Sequence, residues 1–226
     1  MKYMFAPGCG LILYKPQLVR KIHESLQSEF GPMEILLTCC HHTPEIPDDV
    51  DVINVCPGCD RRYRENYSRP STISLWELLA KSEKFKFPDY GGRKMTIIDA
   101  CPTRDQDRIH IAVRKLAEKM NIVVFEPEKS RRSGTCCGDT FYGKIPVEKV
   151  KDQMKVKAAS MPLDDIIVYC TSCSKSMFIG KKRPGYLVDL LCGEDTIRGT
   201  FEPDEWHGEL DAFIENHREF ETVTDF

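Results

Sequence analysis

Ten cysteines of this chain fall into one five-cysteine pattern that is written twice. The first set is Cys9, the pair Cys39-Cys40, and Cys56-Pro-Gly-Cys59. The second is Cys101, the pair Cys136-Cys137, and Cys170-Thr-Ser-Cys173. Only Cys192 stands outside the pattern. Thiolates are soft donors, and they select iron–sulfur clusters, zinc or copper(I) over oxygen-seeking ions. A repeated set therefore predicts a pair of metal sites. A tetrahedral zinc takes four protein ligands, and so does an ordinary iron–sulfur cubane. Each set offers five, including a vicinal pair whose side chains diverge. Such a pair suits two neighbouring metal atoms better than one.

The elements that must position these thiols alternate in type. Short apolar runs predict strands at 2–6, 33–38, 51–55, 95–100, 121–125 and 165–169. Three stripes predict amphipathic helices. They are Leu18, Val19, Ile22, Leu26 and Phe30; Ile109, Ala112, Val113, Leu116 and Met120; and Val147, Val150, Met154, Ala158 and Met161. Strands alternating with helices indicate an α/β fold with largely parallel sheets. Cys39, Cys56, Cys101 and Cys170 each follow directly on a predicted strand, and Cys9 follows a few residues after another. Open α/β sheets bind ligands at the carboxyl ends of their strands.

The repetition extends beyond cysteine. Thr38-Cys-Cys recurs as Thr135-Cys-Cys. Pro70 and Leu75-Trp-Glu-Leu-Leu79 follow the first Cys-x-x-Cys, as Pro184 and Leu187-Val-Asp-Leu-Leu191 follow the second. The chain thus reads as two pseudo-symmetric Rossmann-like repeats, residues 1–92 and 93–193, joined through a Pro/Gly-containing linker at 85–92. An acidic extension, 194–226, follows. Between Cys137 and Cys170 there are thirty-two residues, room for a helix and a strand; between Cys40 and Cys56 there are fifteen. The first repeat is therefore expected to lack one helix.

The chain has 226 residues and a net charge of −3. Residues 194–226 carry −9, which leaves +6 on residues 1–193. The acidic segment argues against nucleic acid as its partner. No apolar run has the roughly 20 residues that span a bilayer, and the first residues lack the core of a secretory signal. A cytoplasmic protein with reduced thiols is expected.

The doubled motif resembles the cysteine-rich CCG domain of the B subunit of heterodisulfide reductase and its relatives. The likeness covers roughly residues 1–193. The second repeat matches fully, with Cys136-Cys137-Gly138; the first has His41 where the second has Gly138, and a shorter gap after it. The resemblance implies that Cys101, Cys136, Cys137, Cys170 and Cys173 hold one noncubane four-iron cluster. It implies that Cys9, Cys39, Cys40, Cys56 and Cys59 hold another. It further implies an oxygen-sensitive reductase that cleaves a disulfide or heterodisulfide between the two clusters. The chain has no further cysteine set for a ferredoxin-like cubane and no nucleotide loop. Electrons would come from a partner iron–sulfur protein or flavoprotein. Alternatives from other classes are an electron-transfer subunit without its own substrate site and a zinc-stabilised interaction module.

His41 and His42, beside a ligand pair, are candidate proton donors, because imidazole titrates near neutral pH; the plainer reading is an exposed turn before Pro44. Arg61, Arg62 and Arg64, and Lys175, Lys181, Lys182 and Arg183, follow the two Cys-x-x-Cys motifs and read as solvated helix faces. By position alone, Arg104 is the better candidate for a charge beside the second set. Cys192 reads as a small core residue. Trp206, Leu210, Phe213, Ile214 and Phe220 have helical spacing and read as a helix packed back on the body.

Overall fold

The computed structural model describes residues 2–37, 40–68, 71–217 and 222–223, and only the backbone of Cys40. Two compact units divide the chain: residues 1–85 with 208–226, and residues 86–207. The first boundary lies at the start of the predicted linker. The acidic extension is not a body of its own, because its residues are shared out between the two units.

In the first unit, β1 (Lys2–Ala6) leads into α1 (Cys9–Tyr14) and α2 (Pro16–Phe30), followed by β2 (Glu34–Leu36). Next come β3 (Val50–Asn54), α3 (Pro57–Asn66), β4 (Thr72–Ser74) and α4 (Leu75–Lys81). Proline at the first position of α2 suits a helix start, where an amide hydrogen has no intrahelical acceptor. Leu18, Val19, Ile22 and Leu26 turn inward from α2; burying such a side chain contributes about 1.5–3 kcal/mol. A capping box opens α4: the Ser74 hydroxyl accepts from the Trp76 amide, and Glu77 accepts from the Ser74 amide.

In the second unit, β5 (Arg93–Ile97), α5 (Asp107–Lys119), β6 (Ile122–Phe125) and α6 (Val147–Ala159) come first. They are followed by β7 (Asp165–Val168), α7 (Thr171–Ile179), β8 (Arg183–Tyr186) and α8 (Leu187–Cys192). The chain continues into α9 (Pro203–Asn216) and β9 (Thr222–Val223).

The sheets run β4-β3-β1-β2-β9 and β6-β5-β7-β8. Pairing is parallel throughout the second sheet and in all of the first except β2 with β9. Leaving out β9, both sheets have the same order: the strands matching β1, β2, β3 and β4 are β5, β6, β7 and β8. The fold is therefore α/β and Rossmann-like, with one strand plan used twice. All six expected strands are present. Three more, β4, β8 and β9, lie at sheet edges.

The copies differ where the spacing indicated. Described residues 40–56 hold one 3-10 turn, Cys40–His42, and β3. The corresponding stretch of the second unit holds a 3-10 turn, Asp139–Phe141, then α6 and β7.

Candidate metal centre

Both Cys-x-x-Cys motifs sit at the same place in the repeated plan. Cys56 caps the start of α3 and Cys170 caps the start of α7, each in extended conformation just after a central strand. Cys59 and Cys173 lie three residues on, inside the first helical turn, and both are buried. Helix amino termini favour anionic sulfur, since unpaired backbone amides and the helix dipole point there.

In the second unit the five thiols meet. The Cys101 sulfur lies 3.9 Å from that of Cys136. Cys136 also contacts Cys137, Cys137 contacts Cys173, and Cys173 contacts Cys170. The contacts form a chain through sulfurs from three segments: the turn after β5, the 136–137 loop, and the start of α7. None of the five is in a disulfide. Cys137 and Cys173 are buried, and the other three are half-buried.

Cys136 is the electrostatic centre of this chain. It accepts hydrogen bonds from the Cys101 and Cys137 thiols, from Thr140 at 3.0 Å and from the Gly138 amide at 3.3 Å. These donors hold its pKa far below the ordinary thiol range. Cys101 is pushed up by donating to Cys136 and by burial, and Cys173 by its bonds to Cys137 and Cys170 and by burial. Proton sharing with Cys136 also raises Cys137.

Gly138 fixes the 136–137 loop. Its φ is +111°, and a β-carbon there would come within 2.9 Å of both the amide nitrogen and Cγ of Met154 in α6. A side chain is excluded by backbone conformation and by space. The first unit has no counterpart of α6 among its described residues, and its equivalent turn packs against α3 instead. His41 takes that place in a 3-10 turn without a positive φ. The departure of the first repeat from Cys-Cys-Gly thus follows from its missing helix.

A buried polar network braces two of the thiol-bearing segments and the start of the third. Asp99 is paired bidentately with Arg114, both bonds at 2.9 Å, and accepts from the Arg131 amide at 2.6 Å. Arg114 also grips Glu126. The Tyr169 hydroxyl donates to Asp99 at 3.2 Å, accepts from the Ala100 amide at 3.0 Å, and shares a hydrogen bond with Thr103 at 2.9 Å. Ala100 and Tyr169 directly precede Cys101 and Cys170. Arg104 bonds the Gly134 carbonyl at 3.1 Å, tying the Cys101 turn to the loop that carries Cys136.

The first set is seen in part. Cys9, Cys56 and Cys59 pack against one apolar cluster with Met4, Val52 and Tyr63. Gly8, with φ +80°, brings the chain so close that a β-carbon would lie 3.5 Å from the Cys59 sulfur. Cys39 and the Cys40 side chain lie outside the described residues. His42 is half-buried, with Nε2 2.6 Å from the Ile214 carbonyl, while His41 is exposed.

Several sequence readings are corrected. Lys175 is not on a solvated face: it is 5% exposed, donates to the Thr200 carbonyl and lies 4.1 Å over the Trp206 ring. Lys182 and Arg183 pair with Asp164 and Asp165 at the start of β7, the strand end opposite the cysteines. Cys192 is half-buried at the end of α8 rather than within the core. Trp206 is buried, whereas Leu210, Phe213 and Ile214 are half-buried; Phe220 lies outside the described residues.

The sequence reading missed Lys157. It sits on the buried stripe of α6 between Met154 and Met161, at 6% exposure. Burial lowers its pKa, and Cys173, Cys137, Asp99 and Cys136 pull it back up. A lysine at an apolar position of a helical stripe was the available signal. Beside Lys157 and Cys136 lies a cavity of about 450 Å³.

No family model and no curated protein matches the chain. Among solved structures, Picrophilus torridus aspartate racemase is similar over 96% of this chain and 94% of its own, at 10% identity and a TM-score of 0.32.

The donor set bears on which metal would fit. Two thiolates on one tetrahedral ion with bonds of about 2.3 Å lie about 3.8 Å apart. The Cys101–Cys136 separation of 3.9 Å has that span. Yet among the described residues no group of three or more His, Cys, Asp or Glu side chains is arranged around a single ion. Five sulfurs in a chain exceed the four positions of one tetrahedral ion and suit a group of several metal atoms.

Proposed function

We propose that the chain is an iron–sulfur protein that holds two four-iron clusters, of the noncubane type, and reduces a disulfide or heterodisulfide. The observation that carries this reading is the contact chain of five thiols from three segments in the second unit. The same strand plan in both units supports a second centre at Cys9, Cys39, Cys40, Cys56 and Cys59. When bound, such clusters would supply electrons singly and an iron able to take a sulfur ligand.

The chain's own residues have separable tasks. The ten cysteines would hold the clusters. Asp99, Tyr169 and Arg104 would keep the ligand-bearing turns in register. Lys157 would offset negative charge on the sulfurs. His41 and His42 remain candidates for delivering protons to departing thiolates, and replacing both with glutamine tests this; unchanged turnover removes them. Electrons would come from a partner iron–sulfur protein or flavoprotein. Among the described residues no helix is long and apolar enough to cross a membrane, which is compatible with a cytoplasmic setting.

An electron-transfer subunit without substrate chemistry is the second reading, favoured by the burial of Cys137 and Cys173. The half-exposure of Cys136 beside a cavity favours the reductase. Anaerobic purification, followed by electron paramagnetic resonance with and without added thiol, separates the two. A thiol-dependent change of spectrum supports a reductase; an unaltered spectrum supports a relay. Zinc without inorganic sulfide would replace both with a zinc-stabilised module.

A further inference from the structure

His110 is a buried titratable group of the second unit to which the proposed chemistry gives no task. It is 1% exposed. Its Nε2 lies 3.3 Å from the Thr103 hydroxyl, which itself donates to the Ala100 carbonyl at 2.8 Å. Toward His110 the Thr103 oxygen therefore accepts, and Nε2 carries the hydrogen of the neutral ring. Nδ1 is then a bare acceptor. It is buried and has no hydrogen-bond partner among the described residues. Buried polar atoms are nearly always paired, and an exception calls for a reason such as a redox or catalytic task.

The surroundings of Nδ1 suit an added proton. Oδ1 of Asp107, on the preceding turn of α5, lies 3.8 Å away. That is too far for a hydrogen bond and close enough to pair with a charged ring. Asp107 is 54% exposed and bonded to Arg132, so this carboxylate joins the ring to solvent. The other charges facing the ring are Asp99 just after β5, Arg114 on α5 and Arg131 on the 131–133 turn. Asp99 and Arg114 are paired with each other, and both arginines reach Glu126. Tyr169 stays protonated, because burial raises its pKa. Burial also holds the imidazole pKa below the ordinary 6.5. Within this network His110 is thus the member that can change charge near neutral pH.

Its other nitrogen leads to the thiol-bearing segments. Thr103 comes two residues after Cys101 and shares a hydrogen bond at 2.9 Å with the hydroxyl of Tyr169, which directly precedes Cys170. A unit negative charge roughly 10 Å from an imidazole, at an effective dielectric of about 20, raises its proton affinity about tenfold.

We infer that His110 is a proton store for the second centre: when that centre gains an electron, Nδ1 takes up one proton from water by way of Asp107, and it releases the proton when the electron leaves. Reduction of a disulfide to two thiols consumes two electrons and two protons. An electron held beside a stored proton adds no net charge to the buried site. The inference rests on the iron–sulfur reading of the second unit and says where one proton waits.

The test is a redox titration of the full chain, anaerobically purified, with dithionite as reductant. It is repeated across the neutral pH range and follows the electron paramagnetic resonance signal that Cys173→Ser removes. The midpoint potential should fall as pH rises from the low pKa of His110 in the oxidised protein to its higher pKa in the reduced one, and level off on either side. At its steepest the reduction equilibrium changes tenfold per pH unit, about 59 mV. His110→Gln should make the potential independent of pH at unchanged iron content. If that variant fails to fold, Asp107→Asn, on an exposed side chain, provides the second arm: without the carboxylate the pH window should move to lower pH. A potential that ignores pH in the iron-loaded wild type overturns the inference. So does a pH dependence that survives His110→Gln, or a window unmoved by Asp107→Asn. A chain that binds no iron refutes the underlying reading and the proton store with it.

Discussion

Gly138 lies against the backbone of Met154, so close that a β-carbon would sit 2.9 Å from the Met154 amide nitrogen. This contact fastens the loop bearing Cys136 and Cys137 to α6. Gly138→Ala must overcome both a positive φ and an overlap with helix backbone. A loss of about 2–4 kcal/mol is expected in chemical denaturation, with metal content falling alongside. The matching change in the first unit, His41→Gly, meets no such helix and should cost only about 0.5–1 kcal/mol. Equal effects at the two positions would refute the contact's role.

Asp99 should be the most sensitive polar residue of the second unit. Asp99→Asn leaves Arg114 without its buried carboxylate and should cost about 3 kcal/mol or more. Urea denaturation measures this directly. Tyr169→Phe removes hydrogen bonds but no charge and should cost about 1–2 kcal/mol.

The same carboxylate predicts an acid response. Burial raises the Asp99 pKa, but the hydrogen bonds and charge of Arg114, with the Arg131 amide, outweigh it and hold the value below the ordinary 3.8. A carboxylate lowered by folding stabilises the fold above its unfolded value. That contribution disappears as pH falls from about 4 through the lower folded value. Metal-stripped wild type should therefore lose melting temperature more steeply than Asp99→Asn as pH is taken below 4. Parallel curves would contradict this.

Lys175 ties the chain around Thr200 and Trp206 to α7. Lys175→Met removes a hydrogen bond and a cation–π contact and should cost about 1–2 kcal/mol. A solvated lysine would cost almost nothing, so the denaturation midpoint decides between them.

The fold was legible where strands are long and buried. The runs at β1, β3, β5 and β7 end in buried residues, mostly apolar, at sheet centres, and the stripes of α2, α5 and α6 have clear helical spacing. The edges were hidden. Arg183-Pro-Gly-Tyr186 looks like a turn, and it is tolerated as β8 because an edge strand can accommodate proline. β4 and β9 are too short to show a period. Of the site, the second thiol set could be read from its doubled spacing. The network around Asp99 could not, because it joins Asp99 just after β5, Arg114 of α5 and Tyr169 just after β7, which only the sheet order makes neighbours. Lys157 left a trace in its misplaced charge on an apolar stripe.

The most direct measurement is the count of iron, zinc and acid-labile sulfide per chain in anaerobically purified protein, for the wild type and for Cys173→Ser. The account predicts about eight irons with matching sulfide when both sites are filled, with about half lost in Cys173→Ser and none lost in Cys192→Ser. Zinc in place of iron with no sulfide, or an iron content indifferent to Cys173, would contradict it.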